Sequence, residues 1–147
     1  MSTIPFESNL VPPAELQQFL KNTGLAYTAE TIPGPHRGAV ETILHFANEN
    51  IEAIKFFAGI FGAFNMWLEY QKVKLEKRKA NREAELHEVE MELKRLEVLE
   101  KKAALHATLK NGDVLILTNG TPEEIARQVN QEVPALKPSQ IKQVALK

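Results

Sequence analysis

The residues of this chain that could perform acid–base or metal chemistry are four histidines and nineteen acidic residues. The histidines, His36, His45, His87 and His106, are far apart in the sequence. The segment that starts at His87 is similar to a helical zinc motif, but Met91 stands where that motif needs its second histidine. The histidines therefore predict no metal site.

The acidic residues are almost all glutamates, and eight of the nineteen lie in one charged segment, 71–105. Asp113 is the only aspartate, and it follows an Asn-Gly pair that is typical of a hairpin turn. Glutamates along a helix more often form a solvent-exposed, solubilising face than pairs that act in acid–base catalysis. The sequence has no glycine-rich phosphate loop and no nucleophile elbow. We therefore predict that the protein is not an enzyme, with no catalytic, cofactor-binding or metal-binding residues, no cofactor and no small-molecule substrate.

The composition is that of a folded protein with little net charge. The chain has 147 residues, of which 44% are hydrophobic and 25% charged, and its formal net charge is -1. A charge this close to zero argues against a nucleic-acid partner. Cysteine is absent, which fits a reducing compartment, and the first residues lack the pattern of a secretory signal. We expect a cytoplasmic protein, with an inner-membrane location as the alternative.

The stretch from 51 to 70 holds most of the aromatic residues and the only tryptophan. Residues 56–68 carry no formal charge, and their small residues have a spacing that lets two helices approach closely. We predict that this helix provides the self-association or membrane contact. The predicted contact residues are Phe56, Phe57, Ala58, Gly59, Phe61, Gly62, Ala63, Phe64 and Trp67.

Three interpretations of this helix stay open. It is a subunit-facing helix of an oligomer, a single membrane span, or a helix that lies in the membrane interface. Its uncharged part is shorter than the roughly 20 residues that a span requires. This shortfall favours the oligomer contact.

A charged segment, 71–105, follows the apolar one. Basic residues dominate it as far as 82, and glutamates dominate from 83 to 100. Within it Leu86, Val89, Leu93 and Leu96 repeat at coiled-coil spacing, over barely two heptads. This seam either packs on the same domain or contacts neighbouring subunits in a staggered arrangement.

The remaining segments predict short elements. Apolar spacing predicts a helix over 14–22 and a strand over 25–32. The segment 105–118 predicts a β-hairpin with a type I′ turn at Asn111-Gly112. Residues 121–124, Thr-Pro-Glu-Glu, form a capping box that opens a helix.

We therefore predict an α+β fold, mainly α, with a long central helix, a small antiparallel sheet or hairpin, and short flanking helices. Residues 1–35 form the N-terminal helix and strand, 36–105 the long helix with a candidate kink at 48–50, and 106–147 the hairpin and C-terminal helix. A straight central helix would put its two strand regions at opposite ends. The sheet would then be completed between subunits, which predicts a homo-oligomer.

The order of these parts resembles the effector-associated constant component family of bacterial conflict systems. The matching pieces are the helix at Leu16–Leu20, the strand to Ile32, the turn Pro33-Gly34-Pro35, the apolar helix Phe56–Leu68, and the hairpin and helix from Val114 to Ile125. The inserted segment 83–105 departs from the family's shorter linker. The resemblance implies a non-catalytic component that couples to a separately encoded effector or sensor in antiviral defence. We expect a self-associating adaptor, with a membrane-anchored effector as the alternative.

Overall fold

The computed structural model describes residues 3–48, 51–82 and 85–147. These residues form six strands, four helices and one short 3₁₀ turn. In chain order the elements are β1 (Thr3–Ser8), α1 (Pro13–Leu20), β2 (Tyr27–Pro33), β3 (Val40–Ala47), α2 (Ala53–Ala80), α3 (Leu86–Lys102), β4 (Ala104–Leu109), β5 (Val114–Thr118), α4 (Pro122–Glu132), the 3₁₀ turn Pro138–Gln140, and β6 (Ile141–Leu146).

The strands form one mixed sheet in the order β2-β3-β1-β6-β4-β5. The two central strands, β1 and β6, are parallel, and every other neighbouring pair is antiparallel. Helix α1 links the parallel strands β1 and β2, and α4 links the parallel strands β5 and β6, each across one intervening strand. Both crossovers run in the same direction along the sheet. The right-handed rule for such connections therefore places α1 and α4 on the same face.

The core lies between this face and the helices. Side chains alternate along each strand, so Ile4 and Phe6 of β1 and Leu44 and Phe46 of β3 point towards the helices and are fully buried. All four helices contribute residues to the same cluster. The side chains of the opposite face, which we call the open face, stay partly or fully exposed. The chain is therefore a two-layer structure with one covered and one open sheet face.

Helix α2 is the central element of the covered layer. Its apolar half lies on the sheet, where the Phe56 ring meets the Phe46 ring edge-on with centroids 5.2 Å apart. The Trp67 Nε1–H donates a hydrogen bond of 3.1 Å to the Glu15 carboxylate of α1. Helix α3 packs against α2 as the second arm of a helical hairpin. The charged half of α2 and most of α3 therefore extend away from the aromatic core.

The predicted fold class is wrong, because the segment 36–105 is not one long helix and the sheet is not small. Residues 40–47 form strand β3, which pairs with β1 and β2. Its β-branched residues favour a strand, and a period of two buries Leu44 and Phe46 on one side. Two residues of the candidate kink at 48–50 lie outside the described residues. Beyond α2 the chain turns at Arg82, whose φ of 54° is left-handed, and α3 runs back along α2.

The C-terminal hairpin is confirmed as two strands, but its turn is not of type I′. Leu109 N–H donates to the Asp113 carbonyl, which closes a loop of three residues. A type I′ turn needs positive φ at two residues, and in this loop only Gly112 has it, at 97°. The loop is therefore the three-residue kind with glycine in the left-handed position.

The predicted capping box at the start of α4 is confirmed. The Thr121 hydroxyl accepts from the Glu124 backbone N–H at 3.2 Å, and the Glu124 carboxylate accepts from the Thr121 N–H at 3.4 Å. We expect Thr121→Ala to lower the free energy of unfolding by about 1 kcal/mol, because it leaves a helix N–H without its acceptor. Chemical denaturation measures this. Thr121→Ser, which keeps the hydroxyl, is the control, and equal stability of the alanine and serine variants would contradict the role of the cap.

Candidate functional site

Most of the residues predicted to contact another chain or a membrane lie in the core of this chain. Phe56, Phe57, Phe61, Ala63, Phe64 and Trp67 are buried. Only the three small residues Ala58, Gly59 and Gly62 are half-exposed. Contact of these residues with another chain or a membrane stays a prediction. Of the predicted contact residues, the three small ones are those that solvent reaches. Within the described residues, no helix has the length and apolar character that crossing a bilayer requires.

The two glycines of α2 have different surroundings. A Cβ atom added at Gly59 would lie 2.8 Å from Leu25 Cδ1 and 3.1 Å from its Cγ. Gly59 therefore lets the segment before β2 approach the helix closely. Among the described residues, a Cβ atom at Gly62 would meet nothing within 4 Å. Packing against Leu25 therefore favours glycine at 59, whereas no described residue packs against position 62.

A groove lies above Gly62, and we call it the Gly62 groove. It is a shallow, open groove with a volume of about 680 Å³. Its floor is α2, and its walls are the end of α3 and the turn that joins β5 to α4. The lining residues are Ala58, Gly62, Asn65, Glu100, Lys101, Asn119, Gly120, Thr121, Pro122 and Glu124. The groove is therefore open over the small residues of the predicted contact and has polar walls.

A pair of asparagines joins the floor of the Gly62 groove to its wall. Asn65 Nδ2 donates to Asn119 Oδ1 at 3.1 Å, and Asn119 Nδ2 donates to Asn65 Oδ1 at 2.7 Å. Because both amides are half-buried and each satisfies the other, the pair fixes the β5–α4 turn against α2. Asn65 is the only polar residue in the uncharged run 56–68. That isolated amide is a sequence signal for this site, whereas Asn119 belongs to an Asn-Gly pair that predicts only a turn.

An ion pair bridges α2 and α3 beside the groove. Lys72 Nζ lies 3.0 Å from Glu100 Oε2. The hydrogen bond to Glu100 raises the pKa of Lys72, although partial burial opposes the shift, and the attraction of the Glu100 charge adds to the increase. A raised lysine pKa means that the pair's contribution to stability is present at neutral pH and is lost only as pH rises through that pKa. Both groups are partly exposed, so this contribution is small.

The helix seam predicted in the charged segment packs mainly on its own chain. Val89 and Leu96 are buried and Leu93 is half-buried, whereas Leu86 is 52% exposed. The partner of the buried residues is α2. The staggered contact with a neighbouring subunit stays a prediction. Leu86 is the seam residue whose side chain is exposed enough to take part in such a contact.

The histidines are not brought together. His45 Nε2 lies 2.8 Å from Glu30 Oε2 on the open face, and His106 lies on the same face, with β1 and β6 between their two strands. His36 and His87 are exposed. Within the described residues, no three histidine, aspartate or glutamate side chains are grouped to hold a metal ion.

Comparison with known proteins adds no assignment. No protein-family model matches the chain, and neither the curated proteins nor the solved structures give a match.

Proposed function

We propose that this chain is a non-enzymatic, self-associating adaptor, and that a second copy packs into the Gly62 groove. The proposal includes a cytoplasmic location and, following the family resemblance, a separately encoded effector or sensor as a further partner in defence.

The observation that carries the proposal is the unexplained glycine in the middle of α2. Glycine in a helix interior is less favourable than alanine by about 1 kcal/mol. Packing within the chain explains the glycine at 59, since Leu25 occupies the space that a side chain would need. Gly62 has no such neighbour. A second chain that approaches α2 closely would require a small residue at this position.

The form of the Gly62 groove also supports the proposal. At the floor of the groove, the small residues Ala58 and Gly62 leave the backbone of α2 accessible to a partner. The asparagine pair fixes the wall of the groove before a partner binds. A fixed surface loses little conformational entropy when it is covered. The groove therefore suits packing by a protein segment.

Gly62→Leu tests this proposal. The leucine enters open space, so we expect the variant to fold, but it projects from the floor of the groove and prevents the close approach of a partner. Sedimentation velocity should give wild-type protein whose average mass rises with concentration above the 16.5 kDa of one chain. In the variant, the part of this rise in mass that depends on the groove contact should be absent.

Met66→Leu is the matched control, because it places an exposed leucine on α2 outside the groove. Circular dichroism confirms that each variant is folded. If folded Gly62→Leu protein assembles as the wild type does, or if the wild type keeps the mass of one chain at all concentrations, the proposed use of the groove is wrong.

A further inference from the structure

Strand β5 is an edge of the sheet whose own sequence lacks the usual protective residues. It is the last strand in the order, and its sequence, Val-Leu-Ile-Leu-Thr, contains no charge and no proline. Its pairing with β4 is regular from Ala104↔Thr118 to Thr108↔Val114. Natural edge strands usually carry lysine, proline or a bulge that prevents pairing with another chain.

The opposite edge differs. Strand β2 ends in Pro33, which has no N–H to donate, and carries Glu30 in its middle. Proline and charge are the features that discourage pairing at an edge. Of the two edges, β5 is therefore the one open to another strand.

The hydrogen bonds of the hairpin show which backbone groups of β5 point outwards. Leu109 N–H donates to the Asp113 carbonyl, so these two residues form a hydrogen-bonded pair. Such pairs alternate along an antiparallel ladder. The N–H and C=O groups of Leu115 and Leu117 therefore point to β4, and those of Val114, Ile116 and Thr118 point away from the sheet.

The outward groups of Thr118 are already used. Its N–H donates to Gln128 Oε1 at 2.8 Å, and its carbonyl accepts from Gln128 Nε2 at 3.2 Å. The side-chain amide of Gln128 thus occupies the place of a neighbouring strand. At the other end of β5, the Gly112 N–H donates to the Leu109 carbonyl within the turn. This leaves Val114 and Ile116 as the residues of β5 whose outward backbone groups face no described strand.

We propose that β5 pairs antiparallel with β5 of a second copy about a two-fold axis through Leu115. In this register Val114 of each copy lies opposite Ile116 of the other, and each of these two pairs exchanges two backbone hydrogen bonds. An axis through Ile116 would place Val114 opposite Thr118, and one through Val114 would place Ile116 opposite Gly112. Each of these leaves only one pair with free groups on both strands. The axis through Leu115 leaves two such pairs, and only its terminal pair, Thr118 opposite Gly112, keeps the bonds it has within each copy.

The side chains of β5 fit the same arrangement. Val114 and Ile116 are 55% and 56% exposed and lie on the open face. Across the two-fold axis they form a continuous apolar patch, while the sheets of both copies join at this edge. An isologous contact of this kind closes on itself, so it gives a dimer and not a fibre. The inference rests on the proposed self-association and adds a second surface to it.

The test uses the full chain with the Gly62→Leu substitution, which blocks the groove. Sedimentation velocity should still find a species of two chains. Adding Val114→Lys and Ile116→Lys places like charges opposite each other, and we expect the dimer to be about tenfold weaker or more. Adding Val114→Lys and Ile116→Glu instead places opposite charges across the axis, and we expect the dimer to be recovered.

Three outcomes separate this inference from the proposed function. If Gly62→Leu protein is a monomer while the wild type assembles, the β5 pair is wrong and the groove contact stands. If the lysine–lysine and lysine–glutamate variants dimerise equally well, the register is wrong. If Gly62→Leu protein assembles as the wild type does and the charge variants behave as expected, the β5 pair stands and the use of the groove is wrong.

Discussion

Phe56→Ala is expected to lower the free energy of unfolding by about 3–5 kcal/mol, the usual cost of deleting a buried aromatic ring. The Phe56 side chain is fully buried, and its ring contacts the rings of Phe46 on the sheet and of Phe57 on the same helix. Its removal opens a cavity where α2 meets the sheet. Because small domains have only about 5–15 kcal/mol of stability, chemical denaturation should find a marginally stable variant.

Met66→Ala is the matched control, since Met66 lies on the same helix and is 42% exposed. We expect it to change stability by less than about 0.5 kcal/mol, as surface substitutions usually do. A large loss of stability for Phe56→Ala and a small one for Met66→Ala is the result expected of a helix packed in the core. A helix that serves only as a contact surface would give small losses for both. Equal, small effects of the two substitutions in the isolated chain would contradict the packing of α2 on the sheet.

The two glycines of α2 are expected to respond to substitution in opposite directions. Gly59→Leu should lower the free energy of unfolding by about 1–3 kcal/mol, because the new side chain overlaps Leu25 and overpacks the core. Gly62→Ala should raise it by about 0.5–1 kcal/mol, since alanine favours the helix and enters open space. Thermal and chemical denaturation of both variants measure the difference.

A second substitution checks the cause of the Gly59 effect. Leu25→Ala removes the side chain that the new leucine would overlap, so the double variant should be more stable than the sum of the two single changes predicts. Additive effects, or a Gly59→Leu protein as stable as the wild type, would show that Leu25 does not require the glycine.

Local signals predicted the C-terminal part of the fold well. The hairpin and the capping box depend on residues close in sequence, such as Gly112 and Thr121, and both are present. The turn type was wrong because Asn-Gly also occurs in three-residue loops, where the asparagine keeps a negative φ. The register of the two strands, and not the Asn-Gly dipeptide alone, decides between a two-residue turn and a three-residue loop.

The N-terminal half shows why the sheet was not predicted. Proline is uncommon in a central strand because it has no N–H to donate, yet Pro5 lies in β1. Pairing of β1 with β6 begins at Phe6, so the missing N–H of Pro5 removes none of those bonds. Val40, Ile43, Leu44 and Ala47 have the spacing of a helical face, whereas Leu44 and Phe46 have that of a strand face, and the neighbouring strands decide between the two. The parallel pairing of β1 with β6 joins the two ends of the described chain, which no local pattern indicates.

The candidate site was predicted in part. The small residues of α2 drew attention to Gly62, but the same signal included Gly59, which has a structural role within the chain. Spacing alone does not distinguish a glycine that faces a neighbouring segment from one that faces solvent. The wall at Asn119 comes from a distant part of the chain and required the fold.

The apolar half of α2 lies in the core of a single folded chain, and the proposed association uses the surface around Gly62. Hydrogen exchange, measured by mass spectrometry on detergent-free protein at low and high concentration, tests both statements most directly. We expect peptides covering 56–68 to exchange slowest at both concentrations, and peptides covering the groove wall at 119–122 to gain protection as concentration rises. If 56–68 exchanges as fast as the end of α2 at low concentration and becomes protected only at high concentration, the apolar helix is an association surface and the account is wrong.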